Sequence, residues 1–318
     1  MCLAQASAPG KVILFGEHAV VYGQPALAVP VTQVQATATL TPRGEGIWID
    51  ARDLNRHYRL EDASPNDPLA AAVRLTFSTL QLSITEYSFL ITLHSTIPIA
   101  SGLGSGAAVC TALVRALSNY FNSPLSNAQA SALVFETERL LHGTPSGIDN
   151  TVVAYGQPVY FVKGQPPVPF SVAQPFRLLI ADTGLPSPTK ITVGEVRAAR
   201  QKEPERYEAM FRAIGDLSRK ARHLIESPQT SQVSETCEVL GALMNRNHAI
   251  LREMGVSCVE LDALVEAARA AGALGAKLSG GGRGGNMLAL VTPETETAVR
   301  AALEMAGAKR VIATTIGK

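Results

Sequence analysis

The apolar positions divide the chain into two textures. Through residue 161 they fall in short strand-like stretches set between helical ones; beyond the proline-dense stretch 164–175, amphipathic helices dominate. Residues 12–15 form a short buried-strand run, and 33–40 alternate apolar and polar as a half-buried strand does. Arg43-Gly44-Glu45-Gly46 reads as a hairpin turn, followed by short strands at 47–50 and 57–60. A loop over 62–67 offers Asn66 or Asp67 as the cap of a helix at 68–80. Next come a strand at 88–93, helices at 107–121 and 127–141, and a β-type run at 151–155. Later elements are a strand at 176–181, helices at 189–201, 204–227, 231–254 and 257–271, a strand at 287–291, a helix at 295–306 and a strand at 309–314. No tandem repeat or low-complexity tail interrupts them.

The stretch Pro98-Ile99-Ala100-Ser101-Gly102-Leu103-Gly104-Ser105-Gly106-Ala107-Ala108 joins the 88–93 strand to the helix that follows. Strand, glycine-rich turn and helix start together form an anion site. Glycine permits turns closed to other residues and close approach of a ligand to the main chain. The first helical turn has N–H groups without internal partners, and the helix dipole favours negative charge there. Such a turn is often only a turn. As a dinucleotide fingerprint it lacks the acidic residue expected about 20 positions on, where Ser126-Asn127-Ala128-Gln129 stands. As a Walker A loop it lacks the lysine. If phosphates bind here, their cation comes from elsewhere in the chain.

With 318 residues the chain is long for one core and suggests two domains. It is 46% hydrophobic and 17% charged with net charge +1, so no global field points to nucleic acid or an anionic membrane. Anion recognition must be local. No apolar run reaches the roughly 18 residues of a bilayer span. The opening Met1-Cys2-Leu3-Ala4-Gln5 lacks the basic and apolar regions of a signal peptide. Four scattered cysteines without a C-x-x-C pair suit a reducing cytoplasm and argue against a structural zinc.

Several titratable residues sit where chemistry is often found. Lys11, Glu17 and His18 bracket the first strand. Glu136 and Glu138 lie near a helix C-terminus, where the dipole opposes them; a cation partner or a pairing with Arg139 would each account for this. Asp149 follows the polar loop His142-Gly143-Thr144-Pro145-Ser146-Gly147-Ile148 at a loop–strand junction, where both catalytic and turn-making aspartates occur. A second glycine cluster runs Gly280-Gly281-Gly282-Arg283-Gly284-Gly285.

Taken together, Ala8-Pro9-Gly10-Lys11 through Gly16-Glu17-His18-Ala19-Val20-Val21-Tyr22-Gly23, the Pro98–Ala108 loop, the segment Glu138 to Asn150 and the 280–285 cluster resemble the GHMP kinase superfamily. Asp182-Thr183-Gly184 with Thr189, and Met244-Asn245-Arg246-Asn247-His248, also look familial. Within the superfamily the chain is similar to the branch whose acceptor is mevalonate; a galactokinase would continue Gly-Glu-His with Thr-Asp-Tyr. The resemblance spans nearly the whole chain.

It implies a two-domain α/β fold, residues 1–172 and 173–318, with the active site in the cleft between them. The first domain would hold a mixed sheet and an unusual left-handed β-α-β unit, and the second would be helix-rich. It further implies transfer of the ATP γ-phosphoryl group to the primary hydroxyl of mevalonate, with Mg²⁺, in a cytoplasmic homodimer with no nucleic-acid or membrane partner. Pro98, Ser101, Gly102, Leu103, Gly104, Ser105, Gly106, Ala107 and Ala108 match the ATP-phosphate cradle, while Glu138 and Ser105 match the metal positions. Asp149 matches the residue that accepts the hydroxyl proton, and Lys11 the lysine beside it that stabilises developing charge. Lys11, Glu17, His18, Ser146, Asp149, Thr189 and Gly281 would meet the substrate. Two departures stand out: Gly106 replaces a usual second serine, and Arg283 sits where small residues are expected, as a further cation for phosphate or pointing to solvent. Rival acceptors are phosphomevalonate, mevalonate-3-phosphate or another small alcohol, a phosphorylated one needing extra cations such as Lys190 and Arg197. A decarboxylase of the same fold and a catalytically dead ligand sensor are the remaining alternatives.

Overall fold

The computed structural model describes residues 4–98, 101–142, 145–187, 189–227 and 233–317. Ile99 and Ala100 of the first glycine turn, and Gly143 and Thr144 of the loop before Asp149, lie outside these. The chain packs as two compact units, each discontinuous in sequence. One comprises Met1–Lys11, Pro30–Pro98 and Gly104–Gly156; the other comprises Val12–Val29, Ile99–Leu103 and Gln157–Lys318.

Strand β1 (Ala4–Phe15) begins in the first unit and passes into the second after Lys11. It pairs with the long strand β2 (Ala26–Pro42). In the first unit β2 is joined by β5 (Phe89–Ser95), then β3 (Ile47–Ala51), then β4 (Arg56–Arg59). The sheet is mixed: β3 runs parallel to β5, and the β2–β5 and β3–β4 pairs are antiparallel. Along β5 the pattern is period two, with Phe89, Ile91 and Leu93 buried.

Helices α1 (Pro68–Thr79), α2 (Ser105–Tyr120), α3 (Asn127–His142) and α4 (Ile148–Tyr155) complete this unit. Asp67 is the cap of α1, accepting from the Leu69 and Ala70 N–H groups at 2.9 and 3.1 Å, with Pro68 at the first position. The apolar stripe of α2 is buried from Ala107 to Leu117. A β-type run was expected over 151–155, and the structure corrects it to helix. Gly147, at φ 90°, turns the chain into α4, and Asn150 anchors that helix to α3 by donating to the Ser131 carbonyl and hydroxyl at 3.0 and 2.9 Å. The β-branched residues Thr151, Val152 and Val153 look strand-like locally, but burial against α2 and α3 overrides so small a preference. Asp149 therefore stands in the first turn of a helix.

In the second unit the start of β2 pairs with β6 (Val159–Phe161), which pairs with β7 (Val168–Pro169). A separate antiparallel sheet has the order β11 (Arg310–Ile316), β8 (Phe176–Asp182), β10 (Asn286–Val291), β9 (Gly275–Ser279). Strand β9 was not expected from the pattern. Every residue of β9 and β10 is buried, so neither shows the alternation of a half-exposed strand. Helices α5 (Thr189–Lys202), α6 (Pro204–Glu226), α7 (Val233–Glu253), α8 (Val259–Ala270) and α9 (Glu296–Met305) belong to this unit. Helix α7 lies directly on β9. A Cβ on Gly241 would stand 2.4 Å from the Leu274 carbonyl oxygen, and one on Gly275 would stand 2.3 Å from that of Gly241. Two glycines thus let helix and strand touch through their backbones, which brings Asn247 and His248 of α7 to β9.

Candidate active site

The first unit gathers Lys11, Asp149, Glu138 and the helix end of the first glycine turn. Lys11 Nζ stands 3.0 Å from Asp149 Oδ1, with the lysine side chain 4% exposed and the aspartate 33%. A buried ammonium requires a partner, and the carboxylate supplies it while remaining partly open to solvent. Gly104 adopts φ 73° as the cap of α2. A Cβ there would lie 2.9 Å from Lys11 Cγ and 3.1 Å from Cε, so the turn rests on the lysine's aliphatic stem. Among the described residues no side chain caps the start of α2, and the first helical hydrogen bond along the turn is Ala108 N–H to the Gly104 carbonyl at 2.9 Å. The N–H groups of Ser105, Gly106 and Ala107 precede that bond, on a helix end whose dipole favours an anion. Ser105 is half-buried and Gly106 exposed, whereas Ala107 and Ala108 are buried in the helix core.

Glu138 on α3 is 5% exposed. Burial first, and then the Asp149 charge, push its carboxyl up to about 7, with Lys11 opposing. Of the two explanations open for the acidic end of α3, the Arg139 pairing belongs to Glu136, at 3.0 Å. Ser146 is half-buried, and its hydroxyl accepts from the Ile148 N–H at 3.4 Å, at the entry to α4.

In the second unit Glu17 and His18 follow β1. Glu17 has both oxygens engaged: Lys277 of β9 pairs with Oε1, and Asn247 Nδ2 donates to Oε2 at 3.0 Å. The Glu17 and Lys277 side chains are both fully buried. Burial lowers the Lys277 ammonium from its ordinary value and Glu17 draws it back up. His18 Nε2 lies 3.0 Å from the Gly281 carbonyl, and burial holds the imidazole at about 4, neutral at physiological pH. Gly281 packs on α5, since a Cβ there would stand 2.5 Å from Thr189 Oγ1 and 3.0 Å from Ser187 Oγ. Ser101 belongs to the same unit, and its carbonyl accepts from Asn286 Nδ2. Gly102 is exposed with open space above it, and Leu103 is buried. Pro98, the last residue before the turn's undescribed pair, is half-buried in the first unit.

Of the two courses expected for Arg283, it takes the one towards solvent: the residue is exposed, paired with Glu195 of α5 and donating to the Gly255 carbonyl at 3.3 and 3.4 Å. His248 accepts at Nδ1 from the Leu278 N–H at 3.3 Å, with Nε2 3.3 Å from Asp262, and burial lowers it to about 4.

The pairing of Glu17 with Lys277, and with Asn247 of the familial segment 244–248, was missed from sequence. The available signal was a lysine inside the apolar run Gly275-Ala276-Lys277-Leu278, since a lysine at the centre of a buried strand must have a buried partner.

The family model for the GHMP kinases N terminal domain matches residues 69–157, and that for the GHMP kinases C terminal domain matches 234–309. A mevalonate kinase of Thermococcus gammatolerans is 36% identical over 322 residues, covering 96% of this chain and 94% of the relative. A mevalonate kinase of Arabidopsis thaliana is 28% identical over 347 residues, with 92% and 91% covered. Among solved structures, that of L. major mevalonate kinase in complex with R-mevalonate superposes with a TM-score of 0.82 at 29% identity, covering 98% of this chain and 95% of that one.

Proposed function

The chain belongs to the GHMP kinase family, in its mevalonate kinase branch, and we propose that it transfers the γ-phosphoryl group of ATP to the primary hydroxyl of mevalonate, giving 5-phosphomevalonate and ADP. The observation that carries this reading is the 3.0 Å pair of a buried Lys11 and a partly exposed Asp149. Phosphoryl transfer needs positioning and charge neutralisation more than covalent participation of the protein. Asp149 orients the acceptor hydroxyl and takes its proton as the bond to phosphorus forms. Lys11 holds Asp149 in place and offsets the negative charge that develops on the transferred group. The N–H groups at the start of α2, with the turn Pro98 and Ser101–Gly104 before it, receive the ATP phosphates. His18, Ser146, Thr189 and Gly281 face mevalonate in this reading.

Mg²⁺ supplies, when bound, further neutralisation of the phosphate oxygens. Glu138 and the Ser105 hydroxyl would hold it. A carboxylate and a hydroxyl are the hard oxygen donors that Mg²⁺ takes beside substrate phosphates, and the burial of Glu138 next to a second carboxylate marks a place that gains from a cation. The resemblance extends the reading to a cytoplasmic homodimer. No helix among the described residues is long and apolar enough to cross a membrane.

The test is a coupled ADP-release assay offering mevalonate, phosphomevalonate, homoserine and galactose in turn. Turnover with mevalonate alone is the expected result. Preference for phosphomevalonate, or no ADP release with any alcohol, refutes the assignment.

A further inference from the structure

His18 is one of two non-glycine residues of the second unit with positive φ among the described residues, Arg283 being the other. Its φ is 59° and its ψ −46°, and the Ala19 N–H donates to the Glu17 carbonyl at only 2.6 Å. That is a three-residue γ-turn of positive φ, a rare and strained conformation for any residue but glycine. Strain of this kind persists only where the surroundings hold it from several sides. Here they do. Behind the turn, Lys277 and Asn247 grip the two oxygens of Glu17, and all three side chains are buried. In front, the His18 ring is tied to the Gly281 carbonyl. After it, the single turn Ala19–Tyr22 closes on Gly23.

The ring's hydrogen bond has a chemical consequence. A carbonyl can only accept, so Nε2 carries the proton and Nδ1 presents a lone pair. Nδ1 is buried and has no hydrogen-bond partner among the described residues. A buried acceptor left unmatched is costly, and an O–H or N–H donor from a ligand would satisfy it. Glu17, by contrast, has no oxygen left unengaged.

We propose that Lys277 and Asn247 are positioning residues that act through Glu17: they hold the γ-turn in which His18 Nδ1 accepts a hydrogen bond from a hydroxyl of the acceptor substrate, and Glu17 is the anchor of that turn rather than a substrate ligand. The proposal rests on the reading that His18 faces mevalonate. It differs from a stabilising role, because a buried ion pair replaced as a pair by apolar residues of similar volume is often neutral or favourable for stability.

The experiment uses that difference. In the full-length protein, the double variant Glu17→Met/Lys277→Met removes both charges together, and Asn247→Leu removes one anchoring hydrogen bond while leaving the ion pair. For the double variant we expect a melting temperature within about 5 °C of the unmodified protein. The KM for mevalonate rises roughly tenfold or more, the scale of a lost hydrogen bond, and the KM for ATP changes by less than about twofold. Asn247→Leu moves in the same direction by less, and decides the matter should the double variant fail to fold. The second readout needs no turnover: ¹⁵N-detected imidazole NMR reports the tautomer of His18. The unmodified protein shows a single Nε2–H tautomer, neutral through pH 5–8 with Arg283 the charged side chain acting on the ring. Both variants mix tautomers and titrate nearer 6.5. Unchanged tautomer and unchanged mevalonate KM in a folded variant overturn the proposal. If the unmodified protein does not turn over mevalonate, the substrate reading has failed, and the tautomer alone then decides the positioning role.

Discussion

Gly104→Ala isolates the contact between the glycine turn and Lys11. Alanine at φ 73° costs about 1–2 kcal/mol in backbone strain. The new Cβ would also stand 2.9 Å from Lys11 Cγ, whereas carbon–carbon contact is comfortable at about 3.5–4.0 Å. The lysine stem is flexible, so it retreats by roughly 0.6–1 Å and draws the ammonium off its 3.0 Å position beside Asp149. Misplacement on that scale lowers kcat by roughly 10²-fold. Gly156→Ala is the matched control. It too has positive φ, 63°, at the far end of α4, and a Cβ there meets nothing within 4 Å. Both variants should lose similar stability in urea unfolding, while only Gly104→Ala loses kcat in the ADP-release assay. Equal kcat in the two variants would falsify the claim that the turn sets the position of Lys11.

Three further outcomes follow from the geometry. Lys11→Met should lower kcat by roughly 10²–10³-fold, and Asp149→Ala should abolish turnover while ATP binding by calorimetry stays near its unmodified value; normal rates in either would reduce the pair to an ordinary ion pair. Arg283→Ala should change the KM for ATP by less than about twofold, because its guanidinium is engaged by Glu195 and Gly255; a large rise would show it to be a phosphate ligand. His18 and His248 both lie at about 4 in the fold against the usual 6.5, so the unfolded chain takes up protons first as the pH falls. Their contribution is intact above about pH 6.5 and is lost as pH drops towards 4, up to about 3 kcal/mol for each ring. Urea unfolding across pH 5–7.5 should therefore show a decline in stability that is shallower in His248→Gln, and an identical slope in that variant would count against the assignment.

Local patterning carried much of the fold. The capped start of α1, the amphipathic helices α5–α9 and strands β5, β8 and β10 are legible because each has a period, a cap or a break of its own. What patterning could not reach depends on distant partners. The β-branched turn after Asp149 reads as a strand until α2 and α3 bury it as α4. Strand β9 is five residues of uniform burial beside a glycine cluster, too short and too even to show a period. The site divides in the same way. Lys11, Glu138 and Asp149 stand out as charged residues at the ends of apolar elements. The role of Glu17 does not, because its partners Asn247 and Lys277 lie 230 and 260 residues away. No window along the chain can reveal a carboxylate already engaged on both oxygens.

The membership of Val12–Val29 in the second unit bears on how the protein is made. Ile13 exchanges hydrogen bonds with the hydroxyl of Ser279, 266 residues further on, its N–H donating at 3.2 Å and its carbonyl accepting at 2.9 Å. At ribosomal rates of about 5–20 residues per second, that partner emerges roughly a quarter of a minute to most of a minute after Ile13 itself. Throughout that interval β1 and β2 can pair with each other and with β5 and β6, but Ile13 has no Ser279 to tie it to β9. The link that ties β1 to β9 is thus among the last contacts of the second unit to form, long after β1 itself has been made.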